Sequence, residues 1–446
     1  MESRMEIIRY PEGIDSTLYS KTHSKPAVFY GLPEKVQYCR KCTISNQKPN
    51  SAIEYENIIG GKKETIKFDS QGVCDPCNYF EKKESEINWN EREKQLLELC
   101  DKYRKNDGSY DCIVPGSGGK DSFFASHILK YKYNMNPLTV TWSPHIFTDW
   151  GWKNLQSWKN VGHDNYLFTP NGRVQRLLSR LSTELLFYPF QSFEIGIKSF
   201  PPKMAVLLDI PLVFYGENEA EYGNPISDTE TPARDWSYFV SEAPERAHLS
   251  GVSVLDLKNN FGLKHADLIP YLPVDRNRLE EKKIDIHHLG YYLKWDPKHC
   301  YEYSVLHGGF QASPTRNSGT FSTYWSIDDK LDDINWYCRR IKFGMGRASY
   351  DAAQQIRSHF LNQSEGIKLI NAYDAEFPER FLDEILDYLS LTKDEYPVAI
   401  DMFEQPKMDR DYLLTLTDKF RSPHIWMKEN NSWVLRQPNN LLQEGH

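Results

Sequence analysis

The segment 111–122 combines glycines, hydroxyl groups and charges in an order that suits the binding of a phosphate. It reads Asp-Cys-Ile-Val-Pro-Gly-Ser-Gly-Gly-Lys-Asp-Ser, which is a short apolar run, a glycine-rich turn and the start of an amphipathic helical pattern. Glycines at Gly116, Gly118 and Gly119 allow a positive φ angle and the close approach of an anion. Backbone N–H groups at the start of the predicted helix also favour negative charge.

This segment supplies most of the candidate nucleotide-binding residues. It is not a Walker A loop, because Val114 and Asp121 stand where that motif needs Gly and Ser or Thr. A glycine-rich turn without a ligand is the alternative interpretation of the same pattern. The candidates for phosphate binding are Ser117, Gly118, Gly119, Lys120, Asp121 and Ser122, and the last three are also the catalytic candidates.

Four of the eight cysteines form two pairs with the spacing of zinc knuckles. The pairs are Cys39 with Cys42 and Cys74 with Cys77, and each has the form Cys-x-x-Cys. Four thiolates suit the tetrahedral coordination of a structural Zn²⁺ ion. Because a cytosolic chain rarely keeps disulfides, the pattern predicts a zinc site, with a redox pair or a persulfide carrier as the alternatives.

An acidic turn, residues 216–223, follows the fourth predicted strand. Three carboxylates and an amide crowd this turn, and hard cations such as Mg²⁺ take carboxylate oxygens. Its place at a strand exit predicts a role in binding Mg²⁺ or orienting a substrate, and a solvated acidic loop is the alternative. The turn offers Gly216 and Glu217 as nucleotide-binding candidates and Asn218 and Glu221 as substrate candidates, while Thr141 on the second predicted strand is a further nucleotide-binding candidate.

Cations and glycines also occur together in the second half of the chain. In Lys342-Phe-Gly-Met-Gly-Arg347, two cations are separated by glycines that let an anionic ligand approach. Arg316 is a less central third candidate for the same ligand. The alternative is that Lys342 and Arg347 pair with the acidic segment 328–333 and brace the fold. That acidic segment equally fits an exposed first turn of a helix.

Apolar runs that alternate with helical patterns surround these motifs. The runs at 112–115, 138–142, 165–168 and 211–215 predict an α/β fold with a doubly wound parallel sheet. In such a sheet the ligand site lies at the carboxyl ends of the strands, where the glycine-rich turn falls. We divide the chain into an N-terminal segment with the zinc-knuckle module (1–88), the α/β domain (89–250) and a mainly helical C-terminal region that binds substrate and partners (251–446).

Composition narrows the function classes. The chain has 446 residues and a net charge of −8, which argues against a large nucleic-acid surface. No apolar run is long enough to span a membrane, and the N-terminus lacks the apolar segment of a secretory signal. The expectation is a cytoplasmic protein with no membrane partner.

Taken in order, the motifs resemble those of one enzyme family. The run Ser117–Ser122 looks like the SGGxDS loop of the PP-loop ATP pyrophosphatases. With the double knuckle before it, and Gly-Glu-Asn-x-Ala-Glu-Tyr-Gly and Lys-Phe-Gly-x-Gly-Arg after it, the chain resembles the N-acetyl sugar amidotransferases of that superfamily. The resemblance covers roughly residues 35–395 and implies a PP-loop, HUP-like fold for the central sheet.

The resemblance implies an ATP-dependent reaction on a bacterial surface sugar. Such enzymes serve lipopolysaccharide, capsule and flagellin-glycan pathways, and they act on sugars related to diacetamido-uronic, pseudaminic or legionaminic acid. They convert an acetamido group to an acetamidino group: the amide oxygen attacks the α-phosphorus of ATP, and ammonia then displaces AMP from the O-adenylyl imidate. The implied cofactors are ATP, Mg²⁺ and Zn²⁺, and Asp121 either binds the Mg²⁺ or stabilises the loop.

The source of ammonia is expected to be a separate protein. No cysteine lies in a nucleophile-elbow context and Met1 is followed by Glu2, so the chain has no glutaminase signature. Free ammonia is scarce at neutral pH. The resemblance therefore implies a glutaminase subunit like that of imidazole-glycerol-phosphate synthase, which a cyclase-like barrel subunit can accompany.

Two other function classes fit part of the pattern. The tRNA sulfur transferases also join zinc knuckles to a PP-loop, but the acidic balance and the lack of an obvious catalytic cysteine beside the loop argue against them. A nucleotide-binding scaffold without catalysis is the third interpretation, and the intact loop argues against it.

Overall fold

The structure is a computed structural model that describes residues 15–23, 25–50, 62–217, 219–222, 231–236, 239–241, 244, 247–397 and 403–439. The strands in the described part of the chain form a five-stranded sheet and two small hairpins. They are β1 (Cys112–Pro115), β2 (Pro137–Trp142), β3 (Asn165–Phe168), β4 (Leu212–Tyr215), β5 (His248–Leu249), β6 (Val252–Ser253), β7 (Asp285–His288), β8 (Trp426–Glu429) and β9 (Ser432–Leu435).

The central sheet is parallel and has the order β3-β2-β1-β4-β7. Its register places Ile113 of β1 opposite Leu138 of β2 on one side and Val213 of β4 on the other. All four strands expected from the apolar runs belong to this sheet, and they run in the same direction. The predicted parallel α/β sheet is confirmed.

Helices connect and cover the strands. In the first half they are α1 (Asp75–Ser85), α2 (Trp89–Tyr103), α3 (Lys120–Tyr131), α4 (Asp149–Asn160), α5 (Gly172–Leu186) and α6 (Gln191–Leu208). In the second half they are α7 (Val254–Asn260), α8 (His265–Leu268), α9 (Arg276–Lys282), α10 (Leu289–Tyr292), α11 (Pro297–Gly308), α12 (Asp332–Phe343), α13 (Arg347–Arg357), α14 (Gln363–Tyr373), α15 (Leu382–Leu389) and α16 (Arg410–Lys419).

Both faces of the sheet are buried, because successive residues of a strand point to opposite faces. Ile113 and Val213 pack in a core with α5 and α6, whereas Val114 and Phe214 pack in a second core with α2 and α3. A sheet covered on two faces leaves its strand ends as the open edge for a ligand. The carboxyl ends of β1 and β4 are therefore the positions that matter for the site.

The fifth strand comes from the segment beyond residue 250. Strand β7 pairs in parallel with β4, so Leu212 lies opposite Asp285 and Tyr215 lies opposite His288. Because most of its residues are polar, this strand has no apolar run in the sequence. His287 is buried all the same, because its Nδ1 makes a 2.7 Å hydrogen bond with the Tyr292 hydroxyl. The C-terminal region thus completes the sheet before it becomes mainly helical.

The N-terminal module and the C-terminal helices share one apolar core. Tyr30 and Cys42 of the module pack in the same cluster as Ile341 of α12 and Leu413 of α16. Two long-range hydrogen bonds hold the ends together, from the Tyr30 hydroxyl to the Phe420 carbonyl and from the Tyr19 hydroxyl to the Arg421 carbonyl. Within the described ranges, no helix has the length and apolar content needed to cross a membrane.

Candidate active site

The glycine-rich turn joins the carboxyl end of β1 to the first residue of α3. Gly118 has a φ angle of +86°, which favours glycine, and a Cβ atom there would lie 2.7 Å from the Cα of Leu155. A Cβ atom on Gly116 would lie 2.1 Å from the Cβ of Ser122. Packing of the turn against α3 and α4 therefore requires both glycines.

Gly119 is different, because among the described residues nothing requires it to lack a side chain. Its φ and ψ angles are −68° and 162°, which any residue adopts, and a Cβ atom would meet a single atom within 4 Å, the Ser117 Oγ at 3.9 Å. It is the N-cap of α3, and among the described residues no side chain caps this helix. A twelve-residue helix leaves its first-turn N–H groups without acceptors inside the helix, so an anion can accept hydrogen bonds from them.

The three catalytic candidates cluster at this helix start. Lys120 is buried and forms an ion pair with its neighbour Asp121. The Ser122 hydroxyl donates to the Gly119 carbonyl at 3.0 Å, which closes the turn. The second carboxylate oxygen of Asp121, Oδ1, is buried and has no hydrogen-bond partner among the described residues. Asp121 therefore has one oxygen to offer a ligand.

A carboxylate from the C-terminal region braces the turn. The Ser117 hydroxyl hydrogen-bonds to Asp328, whose pKa is raised by burial although this hydrogen bond lowers it. Gly151 at the start of α4 permits the contact, since a Cβ atom there would lie 2.5 Å from the Asp328 Cα. Asp328 belongs to the acidic segment 328–333. Asp332 and Asp333 do lie in the first turn of α12, but both are buried, so this helix turn is not exposed.

The exit of β4 brings a second carboxylate to the loop. The pKa of Glu217 is raised first by burial and then by the negative charge of Asp121, whereas His288 and Lys120 lower it. A Cβ atom on Gly216 would lie 3.0 Å from the Trp295 ring and 3.5 Å from the Asp121 carbonyl oxygen, so this turn packs tightly on α3. Two neighbouring carboxylates, one with a buried oxygen that lacks a partner, suit a hard cation such as Mg²⁺.

The other residues proposed for this edge have different surroundings. Asn218 lies outside the described residues. Glu221 is buried and its Oε1 accepts from the Lys83 Nζ of α1 at 2.9 Å, so its carboxylate is held by the N-terminal module. Thr141 is buried between strands, where its Oγ1 accepts from the Asn165 amide at 2.9 Å.

Arg347 lies close to the loop, although more than 200 residues separate it from Lys120. The centre of the Trp325 ring is 5.5 Å from the Lys120 Nζ and 5.7 Å from the Arg347 Cζ. Arg347 also pairs with Asp351 at 2.9 Å. Burial raises the pKa of Asp351 to about 6, while the charges of Arg347 and Lys120 oppose this shift. The two expected cation sites, one on the loop and one in the C-terminal region, thus meet at one tryptophan.

The charged groups of Lys342 and Arg316 are each engaged by other residues of the protein. The Lys342 Nζ donates to the Leu186 carbonyl at the end of α5 at 2.7 Å and lies 4.8 Å from the centre of the Tyr30 ring. Arg316 makes two hydrogen bonds to Glu376, of 2.5 and 2.7 Å. The structure therefore does not bring Lys342 and Arg347 to one ligand.

The four knuckle cysteines converge on one point. Their sulfur atoms all lie within 4.8 Å of one another and are buried. The Cys39 and Cys77 sulfurs are 3.8 Å apart and the Cys42 and Cys74 sulfurs 3.5 Å apart, close to the ~3.8 Å that tetrahedral bonds of about 2.3 Å require. Backbone amides of Lys41 and Cys74 also point at the Cys39 sulfur. This cluster can hold zinc, which would cross-link the module.

An arginine connects the cysteine cluster to the active edge of the sheet. Arg357 at the end of α13 donates to the Cys42 sulfur at 3.6 Å and to the Glu221 carbonyl oxygen at 3.2 Å. The module, α13 and the exit of β4 are thereby joined in one contact. The sequence pointed to Asp328 as part of the acidic segment 328–333, but it did not point to Arg357 or Trp325, because their relevance depends on which distant segments they meet.

Comparison with known proteins finds similarity over parts of the chain. Residues 318–438 match the family model of the C-terminal domain of WbpG-like LPS biosynthesis proteins. This match includes Arg347 but not the glycine-rich loop. A protein of Methanocaldococcus jannaschii named Uncharacterized protein MJ1599 is 35% identical over 78 residues, which are 18% of this chain and 27% of that protein. The family match supports a role in LPS biosynthesis for the C-terminal region.

Proposed function

We propose that the chain is a PP-loop amidotransferase that uses ATP to convert an acetamido group of a bacterial sugar, in nucleotide-linked form, to an acetamidino group. The observation that carries this proposal is the uncapped start of α3 at the carboxyl end of β1, with Lys120, Asp121 and Glu217 around it. The match to LPS biosynthesis proteins supports a sugar as the acceptor.

The loop would hold the β,γ-pyrophosphate of ATP. A Cβ atom on Gly119 would meet one described atom within 4 Å, so phosphate oxygens would have room beside the uncapped N–H groups at the start of α3. The Lys120 ammonium adds a positive charge, and Ser117 and Ser122 fix the turn by their hydrogen bonds. These groups stabilise the charge that builds on pyrophosphate as it leaves.

Asp121 and Glu217 would hold a Mg²⁺ ion against the phosphates. When bound, Mg²⁺ would neutralise charge on the leaving pyrophosphate. The residues fit such an ion because the Asp121 Oδ1 is buried without a partner, and because the charge of Asp121 raises the pKa of Glu217. A cation between the two carboxylates would remove this repulsion.

The reaction would proceed through an adenylated acceptor. The amide oxygen attacks the α-phosphorus and forms a P–O bond, the bond to pyrophosphate breaks, and an O-adenylyl imidate results. Ammonia then adds to the imidate carbon, AMP leaves with the former amide oxygen, and an amidine remains after loss of a proton. Trp325 and Trp295, both nearly buried beside the loop, would help to exclude water, which would hydrolyse the imidate.

Ammonia would come from a partner glutaminase subunit, because none of the chain's own thiols is available for that chemistry. All eight cysteines are buried. Four belong to the cysteine cluster that can hold zinc. Burial raises the pKa of the others, which are Cys100, Cys112, Cys300 and Cys338. A buried thiol of raised pKa is a poor nucleophile. The same fact disfavours a tRNA sulfur transferase that works through a catalytic cysteine.

The test is AMP formation from ATP by the purified chain. UDP- and CMP-linked diacetamido sugars with ammonium chloride form one arm, and bulk tRNA with a sulfur donor forms the other. We expect AMP and pyrophosphate in equal amounts in the sugar arm, and loss of both in Asp121→Ala at an unchanged melting temperature. AMP formation in the tRNA arm alone, or wild-type turnover by Asp121→Ala, would contradict the proposal.

A further inference from the structure

A cavity of about 270 Å³ lies between the start of α11 and the end of α13. Lys298 of α11 and Gln354 and Gln355 of α13 form part of its wall, and Trp325 forms another part. The volume is near the lower end of the ~300–1,000 Å³ range of small-molecule sites. The cavity therefore suits a single ring with its substituents better than a whole nucleotide sugar.

Trp325 is a wall that the cavity shares with the surroundings of the loop. The centre of its ring is 5.5 Å from the Lys120 Nζ and 5.7 Å from the Arg347 Cζ, and only 5% of the residue is exposed. One aromatic ring thus separates the cavity from a residue that we propose to hold ATP. The part of an acceptor that fills the cavity must then be the part that carries its reacting group.

Two aromatic rings form a rigid corner in this wall. Tyr324 also lines the cavity, and its ring stacks on Tyr301 with the centres 4.0 Å apart and the planes at 15°. The Tyr324 and Trp325 rings lie 5.6 Å apart at 76°. Because packing already fixes these rings, a ligand would not have to order them. Their apolar faces suit the C–H groups of a sugar ring and the methyl of an acetamido group.

The polar groups of the wall suit an uncharged ligand. The Gln354 Nε2 and the Trp325 Nε1 are buried and have no acceptor in the described part of the chain, which costs free energy. Side-chain amides both donate and accept, as sugar hydroxyl groups require. The Lys298 ammonium already lies 4.1 Å from the centre of the Phe360 ring and 3.8 Å from the Glu302 carboxylate. None of the described residues that line the cavity is a carboxylate, so it offers no ligands for a metal ion.

Most of the cavity belongs to the part of the chain that is similar to LPS biosynthesis proteins. Six of the eight residues that line it lie within the matched residues 318–438. The other two are Pro297 and Lys298 at the start of α11. This similarity favours a sugar over other small uncharged rings.

We propose that this cavity binds the pyranose ring of the acceptor, with its acetamido group against the corner of Tyr324 and Trp325. The side-chain amides of Gln354 and Gln355 would bind hydroxyl groups of the ring. The acetamido oxygen would then be directed past Trp325 to the nucleotide at the loop. That the sugar is the acceptor of an ATP-dependent reaction rests on the function proposed above, whereas the binding of a sugar in this cavity does not.

Saturation-transfer difference NMR on the full chain tests the cavity. The probe is UDP-N-acetylglucosamine, whose acetamido sugar and uracil ring give separate proton signals. α,β-Methylene-ATP, whose α,β bond resists this chemistry, is added first to keep the diphosphate of the probe out of the loop. We expect the strongest transfer to the acetamido methyl and pyranose protons. In Gln354→Leu, which removes one side-chain amide, the dissociation constant of the probe should rise about fivefold.

Gln175→Leu is the matched control. Gln175 of α5 also has a buried Nε2 without an acceptor among the described residues, but it does not line the cavity. This variant should bind the probe as the wild type does. If Gln354→Leu lowers the melting temperature, Gln355→Leu replaces it, with the same expected loss of affinity.

The outcomes separate this proposal from the proposed function. Transfer mainly to the uracil protons, or to no proton of the probe, would overturn the sugar site. Equal dissociation constants for the wild type and the folded cavity variants would overturn it as well. If calorimetry shows no binding of α,β-methylene-ATP but Gln354→Leu still weakens binding of the sugar, the ATP-dependent function fails and the sugar site stands.

Discussion

Gly119→Ala separates ligand binding from packing at the loop. Within the described part of the chain, the added methyl group meets one atom within 4 Å, the Ser117 Oγ at 3.9 Å, and the backbone angles of Gly119 are open to any residue. Alanine lowers the entropy of the unfolded chain, which stabilises the folded state by about 0.4–1 kcal/mol. Alanine is also a poorer N-cap residue than glycine, and this lowers the free energy of unfolding by a similar amount, about 1 kcal/mol. We therefore expect the free energy of unfolding to change by less than about 1 kcal/mol.

The effect on ATP should be much larger. The methyl group occupies the space through which phosphate oxygens reach the first-turn N–H groups of α3, so at least one charge-assisted hydrogen bond is lost. Such a bond contributes about 1.5–3 kcal/mol, which is roughly a 10- to 150-fold loss of affinity. Calorimetry with α,β-methylene-ATP measures it, and thermal unfolding checks the fold.

Gly172→Ala is the control for this substitution. Gly172 is the first residue of α5, as Gly119 precedes α3, and a Cβ atom on it would have no atom of another described segment within 4 Å. It should bind the nucleotide as the wild type does. Equal nucleotide affinity for Gly119→Ala, Gly172→Ala and the wild type would refute the reasoning, because the open space at Gly119 would then not be the phosphate path.

Further predictions concern the metal cluster, the braces and the pH dependence. The purified chain should contain about one zinc ion, and Cys42→Ser should lose both the metal and several degrees of melting temperature; a zinc-free chain that melts normally would contradict this. Lys342→Met leaves the buried Leu186 carbonyl without its 2.7 Å donor, so it should lose about 1–3 kcal/mol of stability in urea unfolding and keep its KM for the sugar; a raised KM with unchanged stability would argue for a ligand contact instead. Burial raises the pKa of Asp333 to about 6, so the folded state holds this proton more tightly and the contribution of Asp333 to stability falls as pH rises. Relative to the wild type, Asp333→Asn should therefore gain about 1 kcal/mol between pH 5 and pH 7, and a difference that is constant over this range would refute the shift.

The elements that local signals specify were predictable from the sequence. The four apolar runs and the glycine-rich turn are contiguous, so their pattern was sufficient to place β1 to β4 and the start of α3. The sequence pattern did not predict strand β7, because three of its four residues are polar. His287 is buried through a hydrogen bond to Tyr292, which a hydropathy pattern cannot reveal. The knuckle spacing likewise predicted the convergence of four sulfurs.

The roles of single charged residues were less predictable, because they depend on distant partners. Lys342 and Arg347 are five positions apart, but Gly344 ends α12 with a φ angle of +73° and the chain turns between them. One cation then caps α5 and the other stacks on Trp325. Glu221 suggested a ligand at a strand exit, yet Lys83, 138 positions earlier in the chain, takes its carboxylate. Which distant residue each of these charged side chains contacts depends on tertiary packing.

The fate of the acetamido oxygen tests the central claim most directly. An acceptor that supports turnover is labelled with oxygen-18 in its acetamido group and incubated with the chain, ATP and ammonium chloride, and the AMP is examined by mass spectrometry. If the amide oxygen attacks the α-phosphorus, the label appears in the AMP phosphate and the sugar product is an amidine without it. Unlabelled AMP, or ADP and phosphate in place of AMP and pyrophosphate, would contradict the adenylation mechanism.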